Sequence, residues 1–599
     1  MLPPDRREVL LDMLRPPVGY RLDAAVGTTF TLSLDAALVV PLAFASFRLS
    51  GTSDPIAVME AVRSAADRVD VFCQAGQVTV PMQASGLFAF LEPMVHEVRR
   101  PRPGHLFHPK VWFLRYTADG ETPWLRLLCM TRNLTDDASW DLAVRLDADE
   151  GAQSYSDNQP LARFIEALPG MATGPLPAER AARIRRLVTA AHRAEWEYPD
   201  DVNEIAFWPL GIGASESPRF DGYRHLVVAP FLNDGGLARL IPSPSTDSTV
   251  VSRVEDLERL SPATLETLGS TKIMNSAADL DDPEAEELRD RDRLAGLHAK
   301  MVVVERSQRA HVFIGSANAT DAAYGGNVEM MVELVGGASK LGVERLLGTT
   351  DGFGTLLEPY SPLGDAPDDP TEEALRLLRE LLRTAAEANF VATVVRDGES
   401  YRERITADRL AVPSGVRLTA ELITLPGTAA QIDDRRPLDS TLGPLALDQV
   451  TPFLVLRAST NGPGGEQLHQ ATVVRCHLVD DPDGRLDEIL ARQVDTPEKF
   501  LRFLLLLLGI ADPSVLMADT GGSAGGSWSI AGTSNGVFEL LARAASDRPE
   551  ALDDLDRLVG RLQATTTGAT VLPDGFDAVW QVISAARAEL AKLHRTATP

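Results

Sequence analysis

A chain of 599 residues is too long for a single hydrophobic core, so three or four domains are expected. Its net charge of −27 excludes a protein that coats nucleic acid through its overall field, while leaving room for a local basic cleft. The start, MLPPDRREVLLDML, is too charged for a signal peptide, the apolar run Phe503 to Ile510 is far short of a membrane span, and Cys73, Cys129 and Cys476 show neither CxxC spacing nor a disulfide framework, so a cytoplasmic protein without membrane contact is expected.

In chain order, Val69–Val80 reads as a buried strand. It is followed by the basic segment Arg99 to Arg115, which carries Arg99, Arg100, Arg102, Lys110 and Arg115 and no acid. Leu106–Thr117 reads as a strand containing His108-Pro-Lys110, then a polar turn, then a return strand Trp124–Met130. Pro175–Glu197 has the pattern of a helical connector. His225–Phe231 is a strand leading into a helix over Asn233–Leu240. Leu297–Glu305 contains His298-Ala-Lys300, and Ala310–Gly315 is its return strand. Each His-x-Lys thus opens a hairpin, and each return strand ends in a Ser/Thr-x-Asn turn, which makes the two stretches copies of one plan.

The character changes past residue 360. SPLGDAPDDP is a linker, Glu372–Asn389 an amphipathic helix, and Phe390 to Leu478 alternates apolar and polar residues as a small β-rich domain would. The rest is mainly helical, broken by a Gly/Ser loop, Gly521–Ser529, that lacks the Gly-Lys-Ser/Thr of a phosphate-binding loop. The acidic runs Asp279–Asp292, Asp365–Glu373 and Asp547–Asp556 read as solvated surface. The expected division is 1–170 and 207–360 for the two halves, 171–206 for the connector, 361–480 for the accessory domain and 481–599 for the helical end.

Only six of the 58 basic residues are lysines, and with ten histidines chance placement gives roughly 0.1 His-x-Lys in the chain. Two occur, at matching places in the repeat. Where arginine is the default cation, lysine kept twice beside histidine points to a need for a compact ammonium. Residues two apart on a strand face one way, so each pair can address a single phosphate. Downstream, the second copy offers Ser316, Asn318, Asn327 and Glu329, and the first offers Thr131, Arg132, Asn133, Ser139 and Asp141. Asn133 and Asn318 can donate to a phosphate oxygen. Asp141 and Glu329 can accept from the far nitrogen of an imidazole and orient it, each expected to serve its own half. The other eight histidines lack such partners in sequence and read as structural or exposed, with His105 close enough to line the cleft.

HxK, then GSxN, then NxE resembles the phospholipase D superfamily over roughly residues 25 to 350; the second copy matches closely, and the first departs by Met130, Thr131 and Asp141 for Gly, Ser and Glu. The resemblance implies an α/β fold of two repeated phospholipase-D-type mixed-sheet halves flanked by helices. It also implies one shared site in which one histidine forms a phosphohistidine and the other protonates the leaving oxygen. Thr131, Ser316 and Asn327 would support that site. The lysines and asparagines would neutralise the phosphate oxygens, with no metal and no cofactor required.

The substrate is a separate question. A nuclease is favoured, with nucleic acid bound by Arg99, Arg100, Arg102 and Arg132 and bases stacked on Phe107, Trp112 or Trp140, against the alternative that these aromatics are core. A lipid-acting phospholipase or phosphatidyltransferase would ordinarily carry a signal peptide, membrane span or basic amphipathic helix. A non-catalytic scaffold is the third reading. The long C-terminal part suggests docking of a helicase or other defence-system or DNA-processing partner, by analogy with nucleases of that family.

Overall fold

The computed structural model describes residues 10–44, 67–135, 139–213, 217–243, 247–275 and 296–494 almost throughout, with shorter pieces up to residue 586. The run Asp279–Asp292, the loop Gly521–Ser529 and nearly all of Phe503–Ile510 lie outside the described residues. The protein is a mixed α/β structure with several mixed sheets.

The first sheet is built from β1 (Arg21–Thr29), β2 (Val69–Gln74), β3 (Val95–Val98), β4 (Val111–Thr117), β5 (Trp124–Met130), β6 (Ala143–Glu150) and β7 (Ala194–Trp196). The second contains β8 (Val202–Leu210), β9 (Arg224–Val228), β10 (Ser248–Val251), β11 (Ser270–Met274), β12 (Met301–Arg306), β13 (Arg309–Gly315), β14 (Glu329–Gly337) and β15 (Leu357–Pro359). Their strand orders are β3-β2-β1-β4-β5-β6-β7 and β8-β14-β13-β12-β9-β10-β11-β15. In both, three parallel strands (β1-β2-β3 and β9-β10-β11) are followed by an antiparallel run (β4-β5-β6 and β12-β13-β14) that pairs back onto the first of them. The sequence repeat is therefore a repeat of topology.

Burial explains the strand composition. β12, MVVVER, and β5, WLRLLCM, are buried along nearly their whole length, as continuous apolar runs of this kind must be. Between the sheets lies one shared core. Phe113, Leu127 and Val144 of the first half pack with Val303, Ile314 and Met330 of the second, and the helices α1 (Gln159–Met171) and α2 (Ala178–His192) close the same cluster through Leu161, Phe164, Ile184 and Leu187. Asn233 caps α3 (Asp234–Leu240) and Thr320 caps α4 (Asp321–Gly325), each accepting a backbone N–H, so both helices begin next to the turns that follow the hairpins.

Two sequence expectations need correction. Neither His-x-Lys lies within a hairpin strand: β4 begins at Val111 and β12 at Met301, one residue past each lysine. The chain there is held by the opposite half instead, through the bridges Phe107–Val328 and Trp140–Leu297. Val69–Val80 also does not run through as one strand. It stops at Gln74 and resumes only as Val78–Thr79, because Gly76 turns at φ +75, where a Cβ would come within 2.7 Å of the Arg383 backbone.

Arg383 belongs to α5 (Pro370–Ala386), a helix capped by Asp369. Beyond it, Phe390 to Leu478 is largely strand. Four strands form one sheet, and a six-stranded sheet extends from Ala429–Ile432 through Phe453–Asn461 and Gln467–Arg475 to Val78–Thr79 and Leu32–Ser33 of the first half. Helices α6 (Arg485–Gln493) and α7 (Pro549–Gln563) put Ile489, Leu490, Leu555 and Leu558 into a core that also holds Phe88, Leu91 and Trp112. Among the described residues, no helix is long and apolar enough to cross a membrane.

Candidate active site

The two His-x-Lys segments meet at the centre of the joined halves, and hydrogen bonds across the junction set their register. The His108 N–H donates to the Val328 carbonyl at 2.8 Å, and the Val328 N–H donates to Leu106 at 2.8 Å. The mirror arrangement is His298 N–H to the Trp140 carbonyl at 2.9 Å and Trp140 N–H to Gly296 at 3.2 Å. Each histidine-bearing segment is thereby laid beside the acid-bearing segment of the other half.

The consequence is an exchange of acids. His108 Nδ1 is 2.9 Å from Glu329 Oε2, and His298 Nδ1 is 2.8 Å from Asp141 Oδ1. This corrects the expectation that each histidine is oriented by the acid of its own half. The acids are fixed in turn by hydroxyls from their own halves. Thr131 donates to Asp141 at 2.8 Å and accepts from the Leu142 N–H at 2.9 Å, while Ser316 donates to Glu329 and accepts from the Met330 N–H at 3.0 Å. Ser139 supplies a second donor to Asp141 at 2.8 Å, and Asn327 supplies one to Glu329 at 3.1 Å. Asn327 also accepts from the Leu106 N–H at 2.9 Å, so it ties Glu329 to the chain leading into His108. Gly315 permits this approach, since a Cβ there would lie 2.1 Å from the Met330 carbonyl oxygen. Met130 holds the matching place in the first half.

With each Nδ1–H donated to a carboxylate, Nε2 is left as the reactive nitrogen of both rings. Burial, aided by Lys110 and Lys300, pushes His108 down to about 4 despite its carboxylate partner. His298 is also lowered, by burial first and by the two lysines, against Asp141. The acids stay ionised. Burial alone would raise Glu329, but His108, Lys110 and the Ser316 hydroxyl outweigh it, and His298, Thr131 and Ser139 do the same for Asp141.

The lysines are fully buried, and each turns back onto its own segment: Lys110 Nζ donates to the His108 carbonyl at 2.8 Å, and Lys300 Nζ donates to His298 at 2.6 Å. Burial and the neighbouring Lys300 hold Lys110 well below the ordinary lysine range. A second lysine this close to a buried one disfavours its charge, so an anion brought beside them would favour the charged form. Phe30 forms a wall here, its ring 5.0 Å from the His108 ring and 5.8 Å from Lys110 Nζ.

The asparagines are at the edge of this centre. Asn133 Oδ1 accepts weakly from the Thr31 N–H at 3.4 Å, and Asn318 Oδ1 is buried with no partner among the described residues. The arginines proposed for substrate scatter. Arg100 is 7% exposed and ion-paired with Glu387 and Glu380 of the α5 region, so it fastens that helix to the first half rather than facing a ligand. Arg99 donates to the Thr173 carbonyl at 2.7 Å, and Arg132 donates to Thr135 at 3.1 Å. Arg102 does cross the junction, to Gly325 at 2.6 Å, with His105 beside it. Arg115 is bound to Asp23 and Glu150.

Of the aromatics, Phe107 and Trp112 are core. Trp140 lies against Phe353, ring centroids 6.5 Å apart. Histidine–carboxylate pairing proves not to be special to the site: His96 pairs with Asp70 inside a buried Arg180–Arg183 cluster, and His311 pairs with Glu333. What sets the centre apart is the buried lysine beside each histidine and the pairing across halves. Sequence reasoning placed Ser139 in the first half without giving it the role of donor to Asp141, and it missed Phe30 as the wall. Ser139, two residues from Asp141 as Asn327 is from Glu329, was the available signal.

No protein-family model and no curated protein matches the chain. Among solved structures, two variants of a yeast tyrosyl-DNA phosphodiesterase match at 12% identity, one over 54% of this chain and 84% of that one with a TM-score of 0.32, the other over 55% and 86% with 0.33. A polyphosphate kinase from Porphyromonas gingivalis matches at 15% identity over 54% of this chain and 42% of that chain, TM-score 0.30.

Proposed function

We propose that the chain is a phosphodiesterase working through one bipartite centre, and that its substrate is a nucleic acid. The observation that carries the reading is the meeting of His108-x-Lys110 and His298-x-Lys300, with each imidazole held through Nδ1 by the acid of the opposite half. Two imidazoles with Nε2 left free of the acids, each close enough to feel the lysine of the other half, suit in-line displacement at phosphorus.

In the first step one Nε2 attacks phosphorus and the P–O bond to the leaving group breaks. The other imidazole, protonated in the complex, gives its Nε2 proton to the departing oxygen. In the second step that now neutral imidazole takes a proton from water, the water oxygen attacks phosphorus, and the P–N bond breaks. Atoms and protons balance over the cycle. Burial disfavours the charged forms of both histidines and of Lys110, and a bound phosphodiester anion favours protonation of Lys110 and of one imidazole. Lys110 and Lys300 then offset the charge on the non-bridging oxygens from preorganised positions, with Asn133 and Asn318 as amide donors at the edge.

The test is incubation of wild type and His298→Ala with single- and double-stranded DNA and RNA, with and without EDTA. Cleavage that resists EDTA and is lost in the variant is expected. Cleavage that survives His298→Ala, or that EDTA abolishes, overturns the mechanism. Turnover of phosphatidylcholine vesicles with no cleavage of any nucleic acid overturns the substrate.

A further inference from the structure

Among the described residues one phenylalanine is exposed, and it stands beside the candidate site. Phe231 keeps 43% of its surface open, whereas burying a phenylalanine is ordinarily worth about 2 kcal/mol. Its carbonyl accepts from the Ala319 N–H at 3.1 Å, one residue past Asn318. The Arg253 guanidinium lies over its ring, 5.0 Å from the centroid, and Arg253 Nε donates to the Leu297 carbonyl at 3.0 Å, one residue before His298. Ring and cation are thus anchored to the two segments that carry the second half-site.

The first half shows that the fold does not require this pair. Strand register matches Phe231 with Thr31 and Arg253 with Gln74. Gln74 makes the corresponding backbone contact, accepting from the Phe107 N–H at 2.8 Å. A neutral amide therefore suffices to hold the backbone at this position. The first half's own phenylalanine, Phe30, sits one place earlier, turned inward against His108 and covered on its other side by Arg383 of α5 at 5.8 Å. The aromatic of the first half is thus packed against a histidine and the accessory helix, while that of the second half is an open ring backed by a cation and tied to the chain beside His298 and Asn318.

We propose that Phe231, with Arg253 behind it, is a stacking platform for the nucleobase next to the scissile phosphate, which makes the Phe231 side the flank along which a single strand lies. The proposal rests on the nucleic-acid reading above. Stacking needs no net positive field, which suits a chain of charge −27. An aromatic–base contact of this kind is sequence-tolerant, because every base offers a π-face.

The experiment uses full-length protein carrying His298→Ala, so that substrate binds without being cut. Binding of a short single-stranded DNA labelled at its far end is followed by fluorescence anisotropy, beside the same strand with abasic residues in its middle. Phe231→Ala is expected to weaken the base-bearing strand roughly tenfold and the abasic strand less than twofold, and Phe231→Trp is expected to restore binding. Because the ring is exposed, its removal leaves the core intact, and an unchanged melting temperature checks this. Equal weakening of both strands, or no weakening of either, overturns the platform while leaving the nuclease reading standing. Failure of either strand to bind any of the proteins sinks the nucleic-acid reading, and the platform with it.

Discussion

The two candidate half-sites reach the same geometry with different parts. In the second half, Glu329 is 1% exposed and held by Ser316 and by Asn327, which also grips the chain entering His108. In the first, the shorter Asp141 is 12% exposed and held by two hydroxyls, Thr131 and Ser139. The acid of the second half therefore orients the histidine of the first, and the acid of the first half orients His298. Thr for Ser and Asp for Glu are tolerated because the contact that matters, carboxylate to Nδ1, is 2.8 to 2.9 Å in both. Differences between the halves are thus differences in how dry each imidazole is, and His108 is the drier.

The largest effects test whether the halves are interdependent at all. His108→Ala and His298→Ala should each cost on the order of 10³-fold or more in cleavage rate, and the double variant little beyond either, because the two act as one unit. A rate loss confined to one of them would break the bipartite centre. Next comes the crossing. Glu329→Gln and Asp141→Asn should each cost about 10²-fold. Nitrogen NMR of the imidazoles should show His108 responding to Glu329→Gln and His298 to Asp141→Asn; the opposite assignment would restore pairing within each half.

The difference in dryness has a stability signature. His108 has a native value of about 4 against 6.5 for an ordinary histidine, so between these the unfolded chain binds a proton that the native chain refuses. Stability from this group is full above about pH 6.5 and is lost as pH falls toward 4, by about 2 kcal/mol at pH 5. Urea unfolding at pH 7.5 and pH 5 should therefore show a smaller acid loss in His108→Gln than in wild type; identical losses would mean His108 is not held neutral. The smallest effect separates substrate from scaffold. Arg100→Ala should lower stability by about 1–2 kcal/mol through its lost ion pairs with Glu380 and Glu387, leaving the cleavage rate of bound substrate unchanged. A large rate loss at unchanged stability would return Arg100 to the substrate surface.

The candidate site residues were legible because their pattern is local. His-x-Lys, Ser/Thr-x-Asn and the acids recur at related spacings within each half, and turn and strand propensities place them in matched hairpins. The crossing was not legible, since His108 and Glu329 are 221 residues apart and His298 and Asp141 are 157 apart, and nothing in either segment states which copy it faces. Arg100 looked like a ligand residue for the same reason. A basic segment shows its charge, but its partner Glu387 is 287 residues away. Phe107 was a candidate for base stacking and Phe231 only the end of a strand, and packing made the first core and left the second exposed.

By itself the amino-acid order determined the repeat and the identity of the candidate site residues, because strand periodicity and residue chemistry act over a few positions. Tertiary structure decided which acid orients which histidine, which arginine is structural and which aromatic ring stays open. Those outcomes depend on burial and on contacts between distant segments, and they exist only once the two sheets close on a common core.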